Sequence, residues 1–302
     1  MKRRDFLKKM GISALATAIG NNLHSACFLP DEQLPSIGLT TGSNGSWHSD
    51  GSKEGLKKIA EWGYTELEGG SIRGMGNDEY LPFVKSLGLK PLIGGARMEV
   101  VIDEEALKST IKNAQDQGRE YLSCSWPFIG PTRGQKIDDW KEVADNLNKG
   151  AAVCKREGIT LIYHNHDNEF YPVEGQMPFD VLMAGLDQTV GIELDLFWIF
   201  KSGQSIEEYL KKYPGRFPVL HIKDMPAHVT RGSFIGALPN DDHPLLTEKD
   251  FSIIGEGVID FPGIFKLNST SGAKHFIVES DKPGDVATFL EKSAKYLLSL
   301  RF

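Results

Sequence analysis

Two patterns of apolar and polar positions alternate along most of the chain. From residue 35 onward, short apolar runs rich in strand-forming residues are followed by segments whose apolar positions recur every three to four residues. The first pattern predicts β-strands and the second predicts amphipathic helices. The predicted strands are Ser36 to Thr41, Tyr64 to Gly69, Lys90 to Ala96, Glu120 to Trp126, Ile159 to His166, Val190 to Trp198, Phe217 to Met225 and Lys274 to Asp281. The predicted helices are Lys53 to Trp62, Asp78 to Leu87, Glu104 to Gln117, Asp138 to Glu157, Phe179 to Leu186, Ile206 to Tyr213, Phe261 to Leu267 and Asp285 to Leu300.

This alternation predicts a single α/β domain over residues 35–302, of the (β/α)8 TIM-barrel class. Up to the seventh strand, strand starts recur at roughly 25 to 40 residues, the spacing of βαβ units that join parallel strands. The competing fold is an open, doubly wound sheet, but no glycine-rich phosphate-binding sequence follows the first strand. Residues 226–250 are rich in Pro, Gly, Asp and His and predict a long loop insertion over the carboxyl-terminal face of the barrel.

The first 27 residues differ in character from the rest of the chain. Five cations between residues 2 and 9 precede a short apolar run and then Ser25-Ala26-Cys27, which is the order of an export signal. Arg3-Arg4 resembles a twin-arginine signal, and Cys27 resembles a lipoprotein cleavage site apart from the preceding His24. We therefore expect an exported protein, periplasmic or lipid-anchored through Cys27, with a cytoplasmic protein as the alternative. No integral membrane span is expected, since the apolar run is too short.

Charge and composition limit the classes of partner. The chain is 40% hydrophobic and 25% charged, as in soluble globular proteins. Loss of the signal, with five cations and one anion, would take the net charge from −7 to −11. Such acidity argues against nucleic acid or an anionic membrane as the main partner. Cys124 and Cys154 lack metal-ligand spacing and are most simply buried, with a disulfide left open.

Polar side chains collect where the last four predicted strands end. In a parallel barrel the carboxyl ends of neighbouring strands meet around one pocket. A mixed set of imidazoles and carboxylates suits one divalent Mn, Zn, Fe or Co ion. The residues concerned are His164 and His166, Glu193 and Asp195, His221 and Lys223, and Glu279.

At these strand ends the sequence resembles the sugar phosphate isomerase/epimerase group of xylose isomerase-like barrels, which is related in fold to endonuclease IV. The resemblance is specific in the second half of the chain. It rests on Tyr163-His164-Asn165-His166-Asp167-Asn168-Glu169-Phe170, Leu194-Asp195-Leu196-Phe197-Trp198, His221-Ile222-Lys223-Asp224, Val278-Glu279-Ser280-Asp281 and Gly255-Glu256-Gly257-Val258-Ile259-Asp260.

The resemblance implies a metal held by four ligands, His164, Asp195, His221 and Glu279. His164 departs from the family pattern, because many of these epimerases place a glutamate there and use it as one of two paired bases. Inosose dehydratases of the superfamily similarly carry histidines at this position. The expected function is a metal-dependent isomerase or epimerase acting through an enediolate on a free or oxidised carbohydrate. The alternative is a keto-sugar lyase, dehydratase or hydratase, and less favoured are a non-catalytic sugar-binding barrel and a nuclease.

Further roles follow from that chemistry. Glu279 or His166 is expected to act as the base, and Lys223 to stabilise negative charge on a reacting oxygen. Glu169 is expected to contact a substrate hydroxyl or to support a ligand. The other candidate substrate-binding residues at the mouth are Trp198, Trp126, Trp47, Arg97, Glu68 and Glu256. The expected partner is a small carbohydrate, and the sequence leaves the oligomeric state open.

Overall fold

Eight parallel strands close into a barrel in the order in which they occur along the chain. The computed structural model describes residues 32–41, 53–70, 72, 75–129, 134–232 and 246–302. Each strand pairs with the next, and β8 pairs with β1. The strands are β1 (Gly38–Thr40), β2 (Glu66–Glu68), β3 (Lys90–Gly95), β4 (Tyr121–Cys124), β5 (Thr160–His164), β6 (Gly191–Asp195), β7 (Val219–Ile222) and β8 (His275–Val278). The predicted (β/α)8 TIM barrel is confirmed.

Helices connect successive strands and pack around the outside of the barrel. Several begin at an aspartate that accepts backbone N–H groups of the first turn, as Asp103 does from Glu105 and Ala106. The α-helices are α1 (Lys53–Glu61), α2 (Asn77–Ser86), α3 (Met98–Val101), α4 (Glu104–Asp116), α5 (Ile137–Arg156), α6 (Pro178–Gly185), α7 (Leu196–Lys201), α8 (Ile206–Lys212), α9 (Phe261–Phe265), α10 (Asn268–Ser271) and α11 (Val286–Ser299). Two 3₁₀ turns lie at Asn168–Phe170 and Glu248–Asp250.

Alternate residues of each strand face opposite sides of the barrel wall. Since side chains on a strand alternate, one set meets the helices and the other fills the interior. The outward set belongs to the main hydrophobic core and includes Leu161, Tyr163, Ile192, Leu194, Leu220, Ile222, Phe276 and Val278. The inward set includes Ile162, Val219 and Ile277, which form a separate apolar cluster with Leu92, Ile93 and Tyr121. The polar residues two positions further along, such as His164 after Ile162 and His221 after Val219, therefore also face the interior.

The observed strands are shorter than predicted, mainly at their carboxyl ends. The sixth was predicted to run to Trp198, but β6 ends at Asp195, whose side chain accepts the Trp198 N–H and starts α7. His166 likewise lies beyond the end of β5, before a 3₁₀ turn. Because the polar residues sit at or just after these ends, the shift leaves them at the predicted face of the barrel.

Some predicted features lie wholly or partly outside the described residues. The export signal over residues 1–27, with Cys27, is outside them, as are Trp47 and residues 233–245 of the long loop. In the described part of the chain, no helix is long and apolar enough to cross a membrane. Cys124 and Cys154 are both buried and free. The expectation of buried thiols is confirmed, and the two residues form no disulfide. Burial raises the pKa of each thiol to about 12.

Candidate active site

Four buried side chains meet inside the carboxyl-terminal mouth of the barrel, one from each of β5 to β8. They are His164, Asp195, His221 and Glu279, and one ligand atom of each lies within 4.8 Å of those of the others. Three of them end or lie inside a strand, whereas Glu279 directly follows β8. The four residues predicted as metal ligands are thus brought together, while their ligand role stays a prediction.

His221 lies at the centre of this group and touches acidic side chains on both ring nitrogens. Its Nδ1 is 2.9 Å from Glu279 Oε2, and its Nε2 is 2.6 Å from Glu68 Oε2 and 3.1 Å from Glu193 Oε1. Burial alone would lower the pKa of His221, but the carboxylates of Glu193 and Glu68 raise it well above the ordinary value. Without a bound cation, these carboxylates favour the protonated form of the ring.

His164 faces the two acidic residues of the neighbouring strand β6. Its Nδ1 lies 3.3 Å from Glu193 Oε2 and its Nε2 lies 3.7 Å from Asp195 Oδ2. The backbone register of β5 and β6 explains the contact, since His164 is directly opposite Glu193. Ser123 at the end of β4 donates its hydroxyl to Glu193 Oε2 at 2.5 Å and holds this carboxylate in place.

Lys223 is buried beside the same carboxylates, just past the end of β7. Its Nζ lies 2.7 Å from Glu279 Oε2, 2.9 Å from Asp195 Oδ2 and 3.1 Å from Asp281 Oδ1. Burial opposes its charge, but the three carboxylates raise the pKa of Lys223 well above its usual value. Although burial alone would raise the pKa of Glu279, Lys223 and His221 hold it well below the usual range. Glu279 is therefore a firmly ionised carboxylate.

The donor set fits a divalent cation. Five acidic side chains surround one ammonium group and two imidazoles, and such an excess of oxygen and nitrogen donors is typical of a divalent metal site. Asp195 Oδ2 is buried and accepts no hydrogen bond of normal geometry from the described residues, although the Lys223 ammonium lies beside it. The acidic residues are Glu68, Glu193, Asp195, Glu279 and Asp281.

His166 lies nearer the mouth, close to two tryptophans. Its ring centroid is 5.0 Å from that of His164 and 5.9 Å from those of Trp126 and Trp198. The side chain is half-buried. Burial, His164 and Lys223 lower the pKa of His166 well below its usual value, so the ring is a neutral imidazole. His166 is thus an uncharged acceptor beside a charged cluster, with two tryptophan rings close by.

Glu169 is held by hydrogen bonds within the chain, and its predicted place among the substrate-binding residues stays a prediction. It is fully buried in the 3₁₀ turn after β5. Its Oε1 accepts the Tyr163 hydroxyl, and its Oε2 accepts the backbone N–H of His166 at 3.1 Å. Burial raises the pKa of Glu169 to about 7. Glu169 therefore fixes the backbone at His166.

Two other candidate substrate-binding residues lie outside the buried cluster. Arg97 precedes α3 at the end of β3, with a side chain 77% exposed and 3.7 Å from Glu99. Glu256 is 58% exposed and pairs with Lys292 of α11 at 3.2 Å. Arg97 can reach a ligand only at the rim, and Glu256 is held by a helix on the outside of the barrel.

Sequence reasoning gave too little weight to three residues of the cluster. Glu68 was only a candidate at the mouth, although its carboxylate contacts His221 and accepts the Thr40 hydroxyl at 2.8 Å. Ser123 and Asp281 received no role. A signal was present for each, since Ser123 is the polar residue in the apolar strand β4, and Asp281 lies two residues after Glu279. Period-two alternation would have placed both on the inner face.

The comparisons with known proteins agree with this fold. A family model described as xylose isomerase-like TIM barrel matches residues 101–300. An inosose dehydratase from Clostridium perfringens is 31% identical over 168 residues, covering 53% of this chain and 54% of that protein. An inosose dehydratase from Clostridium beijerinckii is 29% identical over 171 residues, with 53% and 54% covered. The chain spans about half the length of these curated relatives.

A solved structure extends the similarity to most of the barrel. A sugar phosphate isomerase/epimerase from Parabacteroides distasonis is 26% identical and superposes with a TM-score of 0.70. The alignment covers 87% of this chain and 93% of that chain. Together these matches confirm the resemblance that the strand-end motifs indicated.

Proposed function

Because the chain belongs to the xylose isomerase-like TIM-barrel family, we propose that it is a metal-dependent carbohydrate dehydratase. The substrate is a keto-polyol or keto-sugar with a hydroxyl β to its carbonyl. The arrangement that carries this proposal is a neutral imidazole, His166, beside a buried cluster of His164, Asp195, His221 and Glu279. The similarity to inosose dehydratases supports elimination as the outcome.

The four clustered residues are the proposed ligands. When bound there, a divalent cation would supply Lewis-acid polarisation of the substrate carbonyl. Glu193 contacts the His164 ring and is itself held by the Ser123 hydroxyl, so both residues orient His164. Glu68 contacts the His221 ring directly and orients it. Such contacts with neighbouring groups set the direction and basicity of ligand side chains.

His166 is the proposed base. Two bases were predicted, and their contacts separate them: Glu279 is engaged by Lys223 and His221 and is a proposed ligand, whereas His166 is only partly buried and lies at the mouth. His166 takes the proton α to the carbonyl, and the electron pair of the broken C–H bond delocalises onto the carbonyl oxygen. The Lys223 ammonium is near enough to the cluster to stabilise that negative charge.

Elimination then follows from the same intermediate. The electron pair returns from oxygen to form a carbon–carbon double bond, the β carbon–oxygen bond breaks, and the departing hydroxide takes the proton that His166 holds. The products are water and an unsaturated ketone, and no oxidant or reductant is needed. Trp126 and Trp198, whose ring centroids lie 5.9 Å from that of His166, are the proposed stacking partners for the apolar side of a sugar ring.

Isomerisation or epimerisation is the second candidate, favoured by the similarity to the Parabacteroides protein. The first step is the same, and the outcomes diverge only when the proton is returned to carbon. The alternatives without proton abstraction, a sugar-binding barrel and a nuclease, lack this step altogether.

The experiment is incubation of metal-loaded protein in D₂O with inososes, ketoses, aldoses and 3-keto-glycosides. We expect deuterium α to the carbonyl and a product lighter by one water for at least one keto substrate. Deuterium incorporation without loss of water would replace the dehydratase with an isomerase or epimerase. Absence of both across the panel, with metal bound, would refute proton abstraction. His166→Gln should abolish exchange, whereas His228→Gln, at an exposed histidine, is the matched control.

A further inference from the structure

A second cavity opens at the amino-terminal mouth of the barrel, opposite the candidate active site. Its volume is about 290 Å³. Thr160 and Gly191, the first residues of β5 and β6, line it together with Lys274, which precedes β8. Since β5 advances four residues from Thr160 to His164, the two mouths are about 13 Å apart at ~3.3 Å per residue.

Arg216 lines this cavity and is only 8% exposed. Its Nη2 donates to the carbonyl oxygens of Asp187 at 3.2 Å and Val190 at 3.1 Å. Its Nε is buried and has no hydrogen-bond partner among the described residues. Within the same residues, no carboxylate forms an ion pair with the Arg216 guanidinium. Burial lowers the pKa of Arg216, yet an arginine stays charged in proteins. A buried charge without a counter-charge is costly, and this cost favours an anionic partner.

The rest of the lining suits the same kind of partner. Lys274 adds a second cation, and Tyr121, Thr160 and Thr189 add hydroxyl groups. Gly215 and Gly272, which also line the cavity, bring two backbone segments close together, since a Cβ on Gly272 would lie 3.0 Å from the Gly215 Cα. Arginine, lysine and hydroxyl groups are the donors that bind phosphate and carboxylate oxygens.

We propose that this cavity binds a small oxyanion such as phosphate between Arg216 and Lys274. The apolar cluster inside the barrel, which includes Ile162, Val219 and Ile277, lies between the two mouths. Occupancy of this site is therefore independent of the reaction proposed at the other mouth. An experiment can refute the anion site without refuting the proposed function, and the reverse.

Thermal unfolding of the whole protein in EDTA tests the proposal, with sodium phosphate compared against sodium chloride at equal ionic strength. We expect a saturable rise in Tm with phosphate, because a ligand that binds only the folded state stabilises it. Lys274→Gln should weaken the apparent affinity about threefold, as for an exposed charge. Arg216→Gln should weaken it about tenfold or more. Lys249→Gln, at an exposed lysine near the other face, should bind phosphate as the wild type does.

Two results would overturn the site. One is the absence of any saturable phosphate effect on the wild type. The other is a phosphate effect that Lys274→Gln leaves unchanged, a readout that remains decisive if Arg216→Gln does not fold. Sodium acetate in place of phosphate distinguishes the ligand classes: an equal effect indicates a general carboxylate or phosphate site, and a smaller one indicates selectivity for phosphate.

Discussion

The buried carboxyl of Glu169 should leave a measurable signature in the pH dependence of stability. Burial raises its pKa from 4.5 to about 7 in the folded protein. Between these values the folded state holds a proton that the unfolded state has lost. The free energy of unfolding therefore falls as pH rises, by ~1.4 kcal/mol per pH unit, or about 3 kcal/mol in total, and levels off above the folded pKa.

Glu169→Gln removes this contribution while keeping an acceptor for the backbone N–H of His166. Urea unfolding followed by circular dichroism, in EDTA to exclude metal linkage, measures the free energy at about pH 4.5 and about pH 7.5. The stability of the variant relative to the wild type should rise by about 3 kcal/mol between these values. Glu142→Gln, at an exposed glutamate of α5, should run parallel to the wild type. If the difference in free energy of unfolding between Glu169→Gln and the wild type is the same at both pH values, burial does not raise the pKa of Glu169.

Three further expectations concern the cluster and the core. His164→Ala should reduce divalent-metal affinity at least tenfold in equilibrium dialysis while His166→Ala leaves it nearly unchanged, and the reverse order would make His166 the ligand. Lys223→Met should destabilise the metal-free protein by about 3–5 kcal/mol in urea unfolding, because it leaves buried carboxylates unpaired; an unchanged midpoint would contradict the ion pairs. Cys124 and Cys154 should react with a thiol reagent only as fast as the protein unfolds, since burial raises the pKa of both to about 12, and rapid labelling in native buffer would count against their burial.

Periodicity alone located every strand of the barrel, since each observed strand falls inside a predicted one. The carboxyl ends were placed too far along because apolar residues continue past them. Leu196, Phe197 and Trp198 look like strand residues, yet Asp195 supplies a helix cap that turns the chain. Strand propensity is a local property, whereas the point at which a strand stops depends on hydrogen bonds made after the turn.

The sequence predicted the part of the candidate site that lies at the ends of neighbouring strands. It did not predict the contacts that arise only when the barrel closes. The four predicted ligands share one face because the last four strands are neighbours. Glu68 reaches His221 from β2, on the other side of β1 and β8, and only a closed sheet brings them together. The burial of Glu169 depends on Tyr163, and the outward direction of Glu256 on Lys292, which are contacts that spacing does not reveal.

The alternation along β5 to β8 has a consequence for how such a protein can change over evolution. Residues such as Leu194 and Leu220 face the helices, while Asp195 and His221, one position later, face the interior. Substitutions on the inner face can alter ligands and bases without disturbing helix packing. His164, on the same strand as Leu161 and Tyr163, occupies such an inner-face position. A barrel of this design can thus acquire a new reaction while its folding determinants stay under separate selection.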